Sequence, residues 1–158
     1  MEYSVVIDKN WSLLNDQIKS VGSSEVFVLV DRNTKEHCLA KLMSELKSDL
    51  TIIEIKDGEV YKNIESCKHI WKELLDAGAT RNAILLNLGG GVIGDMGGFS
   101  ASCYKRGITF IQIPTSLLAM VDASIGSKTG IDFRSMKNMI GLFSDPAMVF
   151  IHTAFLKS

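Results

Sequence analysis

The sequence predicts an α/β domain, a Rossmann-like, mostly parallel sheet with helices on both faces. Three observations carry that reading. Short, almost unbroken apolar runs such as VFVLVD (26–31) and AILLNL (83–88) recur along the chain, as strands buried on both faces require. Stretches with apolar residues at helical spacing alternate with them, as in βαβ units. A turn dense in glycine, with six of the 13 glycines between Gly89 and Gly98, joins one such run to a helix-like segment.

Taken in order, YSVVID (3–8) is the first expected strand and VFVLVD the second. Asn33 then stands where it can cap a helix, with Glu36 in the capping-box position, and Leu39, Leu42, Met43 and Leu46 share one face. TIIEI (51–55) is a short third strand closed by the turn KDGE. The next helix carries Ile64, Cys67, Trp71, Leu74 and Leu75 on one stripe and ends at Gly78. AILLNL is the fourth strand, ITFIQI (108–113) the fifth, stopped by Pro114, and AMVFI (147–151) the sixth. Thr153 is placed to cap a last helix that has barely begun, so the sequence is expected to be part of a longer protein. Residues 1–158 read as one domain without repeat, linker or low-complexity tract.

The formal net charge of −1 gives no reason to expect a nucleic-acid partner. The local balance differs: 1–98 holds 11 bases and 15 acids, whereas 99–143 holds five bases and two acids. That cationic stretch suits an anionic small ligand and equally a solvated basic face. Cys38, Cys67 and Cys103 are odd in number and form no C-x-x-C, so a reducing cytoplasm is expected rather than a disulfide framework. His37 and His69 read as surface residues on helices, His152 has no assignment, and no metal site can be built from the three. The uncharged run from Gly107 to Val121 contains Gln112, Pro114, Thr115 and Ser116 and is no membrane span.

Gly89, Gly91 and Gly94 satisfy G-x-G-x-x-G between a strand and a helix, where a pyrophosphate can approach the backbone and the free N–H groups of the helix. Two features depart from the ordinary dinucleotide fingerprint. The turn follows the fourth strand, and the next strand runs into FIQIPT without an acid for a ribose; Asp31 ends an earlier strand instead. Asp95, in the first turn of the new helix, would repel a phosphate; it either caps N–H groups or bonds a ligand hydroxyl. Gly97 and Gly98 allow that helix to lie close against the sheet or another chain. GSKTG (126–130) lacks the glycine spacing of a P-loop. It reads as a polar loop carrying Lys128, preceded by Asp122 and Ser124 and followed by Lys137 and Asn138, which could line an anion site or face water.

DGEVYK (57–62), GGGVIGDMGGFSASCYKRG (89–107), FIQIPTSLLAMVDASIGSKTGID (110–132) and KNMIGLF (137–143) together resemble the amino-terminal half of 3-dehydroquinate synthases. The resemblance implies the NAD-binding domain of a homodimeric lyase of the shikimate pathway. Such an enzyme converts 3-deoxy-arabino-heptulosonate 7-phosphate, a small phosphorylated molecule, into 3-dehydroquinate and phosphate. It implies a divalent metal, zinc or cobalt, whose glutamate and two histidine ligands lie in a helical carboxy-terminal domain with no counterpart here. The chain alone is then expected to bind NAD without turnover, and neither nucleic acid nor membrane is an expected partner.

Residue by residue, the resemblance places the NAD pyrophosphate against Gly90, Gly91, Val92 and Ile93, continuing to Gly94, with Asp95 on the nicotinamide ribose side. Asp31 matches a ribose carboxylate. Asp57, Gly58, Glu59, Val60, Tyr61 and Lys62 match a loop near the adenosine. Thr115 and Ser116 match a cofactor-touching Thr-Thr pair. Asp122, Lys128, Lys137 and Asn138 match residues where cofactor and substrate meet, with Lys128, Asp122 and Asn138 as catalytic candidates. Arg106 matches an arginine that crosses a dimer interface to the substrate phosphate. Phe155, Leu156, Lys157 and Ser158 match a further cofactor-contacting stretch. Ser127 stands where the family has the second glycine of G-G-K-T, and Ser116 where it has a second threonine. Sister sugar-phosphate cyclases share much of this half, glycerol-type dehydrogenases share its fold, and a stand-alone nucleotide-binding module is the non-enzymatic rival.

Overall fold

The structure, a computed structural model, describes residues 3–7 and 9–157. In chain order its strands are β1 (Ser4–Ile7), β2 (Val26–Asp31), β3 (Leu50–Ile55), β4 (Ile84–Gly89), β5 (Thr109–Pro114), a hairpin of β6 (Lys128–Phe133) and β7 (Met136–Phe143), and β8 (Met148–Ile151). All but the hairpin join one sheet in the order β1-β8-β5-β4-β2-β3, with every neighbouring pair parallel. The helices are α1 (Ser12–Val21), α2 (Arg32–His37), α3 (Leu39–Glu45), α4 (Ile64–Asp76) and α5 (Gly91–Cys103). None of them is long and apolar enough to cross a membrane.

Side chains alternate across the sheet and so build two core layers. Val26, Val28 and Val30 of β2 pack with Leu14 and Ile18 of α1 and with Leu39 and Leu42 of α3. Phe27 and Leu29 face the other way, toward Cys67, Ile70 and Leu74 of α4 and Ile93 and Met96 of α5. The chain leaves β2 outward to β3, returns to β4 on the other side, and continues away through β5 to β8. Its order therefore reverses between β2 and β4, and their carboxyl ends, Asp31 and Gly89, flank the crevice where ligands of open α/β sheets bind.

The helix after β2 starts earlier than expected. Asp31, not Asn33, is its cap: the Thr34 N–H donates to Asp31 Oδ1 at 2.8 Å and the Asp31 N–H to Thr34 Oγ1 at 3.1 Å. Asp31 already has the extended backbone a cap needs, at φ −102° and ψ −179°, and Thr34 takes the capping-box place expected of Glu36. A break at Cys38 then separates α2 from α3, so Leu39, Leu42 and Leu46 are buried but Met43 faces out. In α4 the buried stripe is Cys67, Ile70 and Leu74; Ile64 and Leu75 are exposed because α4 also leans on α5, where Trp71 Nε1 donates to the Ser100 carbonyl at 2.9 Å. Gly78, at φ +76°, ends the helix as expected, with the Ala79 N–H donating to the Leu74 carbonyl at 2.9 Å in a Schellman closure.

The larger correction lies in 115–144. The expected loop around GSKTG is a short π-helical turn at Ala119–Ala123 followed by the antiparallel hairpin, with Lys128 opening β6 and Lys137 and Asn138 inside β7. Every residue of β7 is exposed, so its sequence carries no alternation of apolar and polar residues. The two-residue loop is Arg134 and Ser135, at φ +48° and +63°, a conformation that Asn-Gly would have announced.

Candidate functional site

The glycines of the turn divide into two groups. A Cβ on Gly89 would lie 2.5 Å from the Ile93 side chain and one on Gly98 2.6 Å from Thr129; one on Gly97 would overlap Asn87 outright. Those positions bring α5 down onto the sheet and the hairpin. Gly90 and Gly91 are different. Neither has a positive φ, and their nearest would-be neighbours are Ser116 Oγ at 3.6 Å and Ala123 Cβ at 3.3 Å. Neither strain nor close packing demands glycine at Gly90. The bare backbone suits a group arriving from outside. No side chain caps the first turn of α5, whose N–H groups and dipole favour an anion there. The residues present fit a pyrophosphate.

Neighbouring loops close around this turn. The Thr115 N–H donates to the Gly89 carbonyl at 3.0 Å, and Ser116 stands beside Gly90. Val92 is half-buried, Ile93 lies in the core, and the Gly94 carbonyl accepts from Gln112 Nε2 at 3.0 Å, so these residues can meet a ligand through the backbone rather than through side chains.

Asp95 caps nothing. Its Oδ2 is 2.7 Å from the Lys62 ammonium, which also donates to Asn138 Oδ1 at 2.6 Å. Lys62 is 4% exposed, an unusual place for a lysine unless it is paired. Burial pushes the Asp95 carboxyl above the usual carboxylate value, the Lys62 ammonium pulls it back, and the charges of Asp122 and Asp132 push it up further. Asn138 reaches this point through an irregularity in the hairpin. Ile131 pairs with Ile140 and Phe133 with Met136, so Asp132 alone opposes Lys137, Asn138 and Met139. Asn138 sits at φ +53° and its N–H donates to Asp132 Oδ1 at 2.9 Å. Such a bulge re-aims a side chain.

Asp95, Asp122, Lys128 and Asn138 line one cavity of about 690 Å³ with Gly126, Gly130 and Gly141. The structure thus unites three of the four residues expected at the meeting of cofactor and substrate. Lys137 lies outside this lining, on exposed β7, where its charge bears on Glu59. Asp132 was missed from the sequence. Its place between GSKTG and KN was the available signal. Ser127 holds φ +62°, the region for which the family keeps glycine, and its hydroxyl bonds Asp145 Oδ1.

The remaining candidates are dispersed. Asp57 and Tyr61 line a second cavity, of about 750 Å³, at the carboxyl end of β3, with Lys56 Nζ 5.2 Å above the Tyr61 ring. Gly58, at φ +108°, turns the chain there, and Glu59 and Val60 are exposed. Burial and the neighbouring Asp132 raise the Glu59 carboxyl. Arg106 is exposed at φ +66°, past the far end of α5. That 13-residue helix is about 20 Å long at ~1.5 Å per residue, so Arg106 stands a helix length away from the glycine turn, in a cavity it lines with Ser144 and Asp145. Leu156 and Lys157 are exposed, but the Phe155 side chain is core, edge-on to Trp11 at 5.9 Å between ring centroids. Ser158 lies outside the described residues. His152 is buried, stacked on Trp11 at 4.7 Å, and its Nδ1 accepts from the Ala154 N–H at 3.3 Å. His69 is exposed, with Nε2 3.0 Å from the Glu54 carbonyl. Among the described residues no three His, Cys, Asp or Glu side chains converge as metal ligands.

The family model for the 3-dehydroquinate synthase N-terminal domain matches residues 52–158. A 3-dehydroquinate synthase of Parabacteroides distasonis is 44% identical over 160 residues, covering 99% of this chain and 45% of that protein. One from Campylobacter jejuni is 42% identical over 161 residues, covering 100% of this chain and 46% of that protein. The chain spans less than half the length of these curated relatives. Among solved structures, 2-epi-5-epi-valiolone synthase from Streptomyces hygroscopicus, with NAD+ and Zn2+ bound, superposes with a TM-score of 0.86 at 29% identity, covering 99% of this chain and 44% of that one. A 2-deoxy-scyllo-inosose synthase complexed with carbaglucose-6-phosphate, NAD+ and Co2+ gives 0.87 at 24% identity, with the same coverage, and shares the fold.

Proposed function

The chain belongs to the 3-dehydroquinate synthase family, and we propose that it is the NAD-binding half of an enzyme that converts 3-deoxy-arabino-heptulosonate 7-phosphate into 3-dehydroquinate and phosphate, in the shikimate pathway of the cytoplasm. The observation that carries this reading is the open backbone at Gly90, continuing to Gly91 against Ala123, beside a cavity that gathers Asp95, Asp122, Lys128 and Asn138. NAD supplies reversible oxidation of a secondary hydroxyl when bound.

The first-turn N–H groups of α5 hold the pyrophosphate, and the missing side chains at Gly90 and Gly91 let it approach. Asp95 keeps Oδ1 for a ribose hydroxyl because Lys62 takes Oδ2, and Asp31 keeps Oδ2 because Oδ1 caps α2. Lys128, exposed at the start of β6, holds the carboxylate or developing anion of the phosphorylated substrate, with Asp122 and Asn138 orienting it. Arg106 serves the neighbouring subunit of a homodimer, where a planar guanidinium suits a phosphate. Zinc or cobalt is held by residues of the remaining half, so the 158-residue chain by itself binds NAD and does not turn over.

Sister sugar-phosphate cyclases form the second reading, favoured by the two superposing synthases. Phosphate release by the full-length protein, assayed with NAD, zinc or cobalt and each candidate sugar phosphate, separates the two. Turnover of the heptulosonate phosphate is expected. Turnover only of another sugar phosphate supports a sister cyclase, and steady turnover by the isolated chain overturns the division into halves.

A further inference from the structure

A carboxylate in the first turns of α5 opposes any phosphate placed at that helix's N-terminus, and Asp95 is such a carboxylate. Among the described residues its ion-pair partner is Lys62, from the segment between β3 and α4. The same ammonium holds Asn138 of β7, while the Lys62 carbonyl accepts the Asp132 N–H of β6 at 2.8 Å. One buried residue therefore grips α5 and both strands of the hairpin. With Asp95 and Asn138 both on its ammonium, Lys62 has two of its three N–H donors engaged within the protein.

We propose that Lys62 is a positioning residue: it neutralises Asp95 so that a phosphate can sit on the glycine turn, and it ties that cofactor cradle to the hairpin that carries Lys128 and Asn138. This rests on the NAD reading above. The buried charge of Asp95 is tolerated because it is paired; without Lys62 it faces Asp122 of the π-helical turn and Asp132 of β6, with Lys128 also lining the cavity, while Glu59, outside that lining, feels the charges of Lys62, Asp132 and Lys137.

The test is a double-mutant cycle on NAD affinity in the full-length protein, by calorimetry across neutral and mildly acidic pH. Lys62→Met is expected to weaken NAD binding about tenfold, the equivalent of one pKa unit of charge interaction. Lys62→Met/Asp95→Asn is expected to recover most of that loss, since no carboxylate is left to neutralise. In Lys62→Met alone, affinity should rise as pH falls and Asp95 takes up a proton. That rise should persist when Asp122→Asn or Asp132→Asn is added. Equal losses in the single and double variants, with no pH dependence, would mean that Lys62 touches NAD directly and would overturn the proposal. Should Lys62→Met not fold, the double variant, which buries no lone carboxylate, must still fold and bind; its failure also overturns the proposal. A wild-type protein that does not bind NAD at all refutes the cofactor reading, whereas wild-type binding with an unaffected Lys62→Met refutes the role of Lys62 alone.

Discussion

β4 and β7 are both strands, yet β4 buries all six of its residues and β7 none of its eight. β4 lies between two neighbours and two layers of helices. β7 has one partner, β6, and leaves Leu142 exposed and Phe143 83% exposed. The sheet holds its place through many apolar contacts. The hairpin is anchored by a few specific ones: Ile131 in the core, Thr129 against Gly98, and Lys62 on Asn138. The difference teaches where chemistry can be carried. The sheet presents a fixed glycine turn, and the hairpin, with β6 packed on α5 and β7 exposed, brings Lys128 and Asn138 into the cavity beside it.

The contrast breaks most visibly at the sheet. Leu86→Ala in β4 removes a fully buried side chain and should cost about 2–5 kcal/mol in urea unfolding, the range for large-to-small core changes. Lys128→Met should do the opposite: kcat/KM of the full-length enzyme falls at least ~10²-fold, the scale of a lost preorganised charge, while Tm hardly moves. A large loss of stability with intact turnover would make Lys128 a structural residue.

The sheet was legible because double-sided burial leaves unbroken apolar runs; AILLNL predicts β4 to within a residue at each end. The glycine turn was legible as well, although its sequence cannot tell Gly97, which packs, from Gly90, which stays open. The hairpin was not. MKNMIGLF shows no alternation, and a loop of Arg134 and Ser135 gives no turn signal. Nor could Lys62 be seen as the partner of Asp95, because 33 residues separate it from Asp95 and 76 from Asn138. The capping role of Asp31 was hidden by an equally good cap two residues later.

Smaller effects sharpen the comparison. Burial raises the Asp95 carboxyl, so its contribution to stability is present below the ordinary carboxylate pKa and is lost as pH rises through the raised value. Wild type should therefore lose stability relative to Asp95→Asn as pH climbs from about 4. A constant difference would place Asp95 in an unshifted environment. At the bottom of the scale, Leu142→Ala on β7 should change stability by no more than about 0.5 kcal/mol, as an exposed substitution does. A loss as large as that of Leu86→Ala would show that the hairpin is covered in solution.

Whether the backbone at Gly91 is a dinucleotide cradle is tested most directly by calorimetric titration of NAD into full-length protein, wild type beside Gly91→Val. A Cβ there lies 3.3 Å from that of Ala123, a tight contact with one small side chain, so the variant should fold with a modestly lowered Tm. The wild type should bind NAD, and Gly91→Val should give no binding heat, because the added branch occupies the approach of the pyrophosphate. A folded Gly91→Val protein that retains wild-type affinity would contradict the placement of the cofactor on this turn.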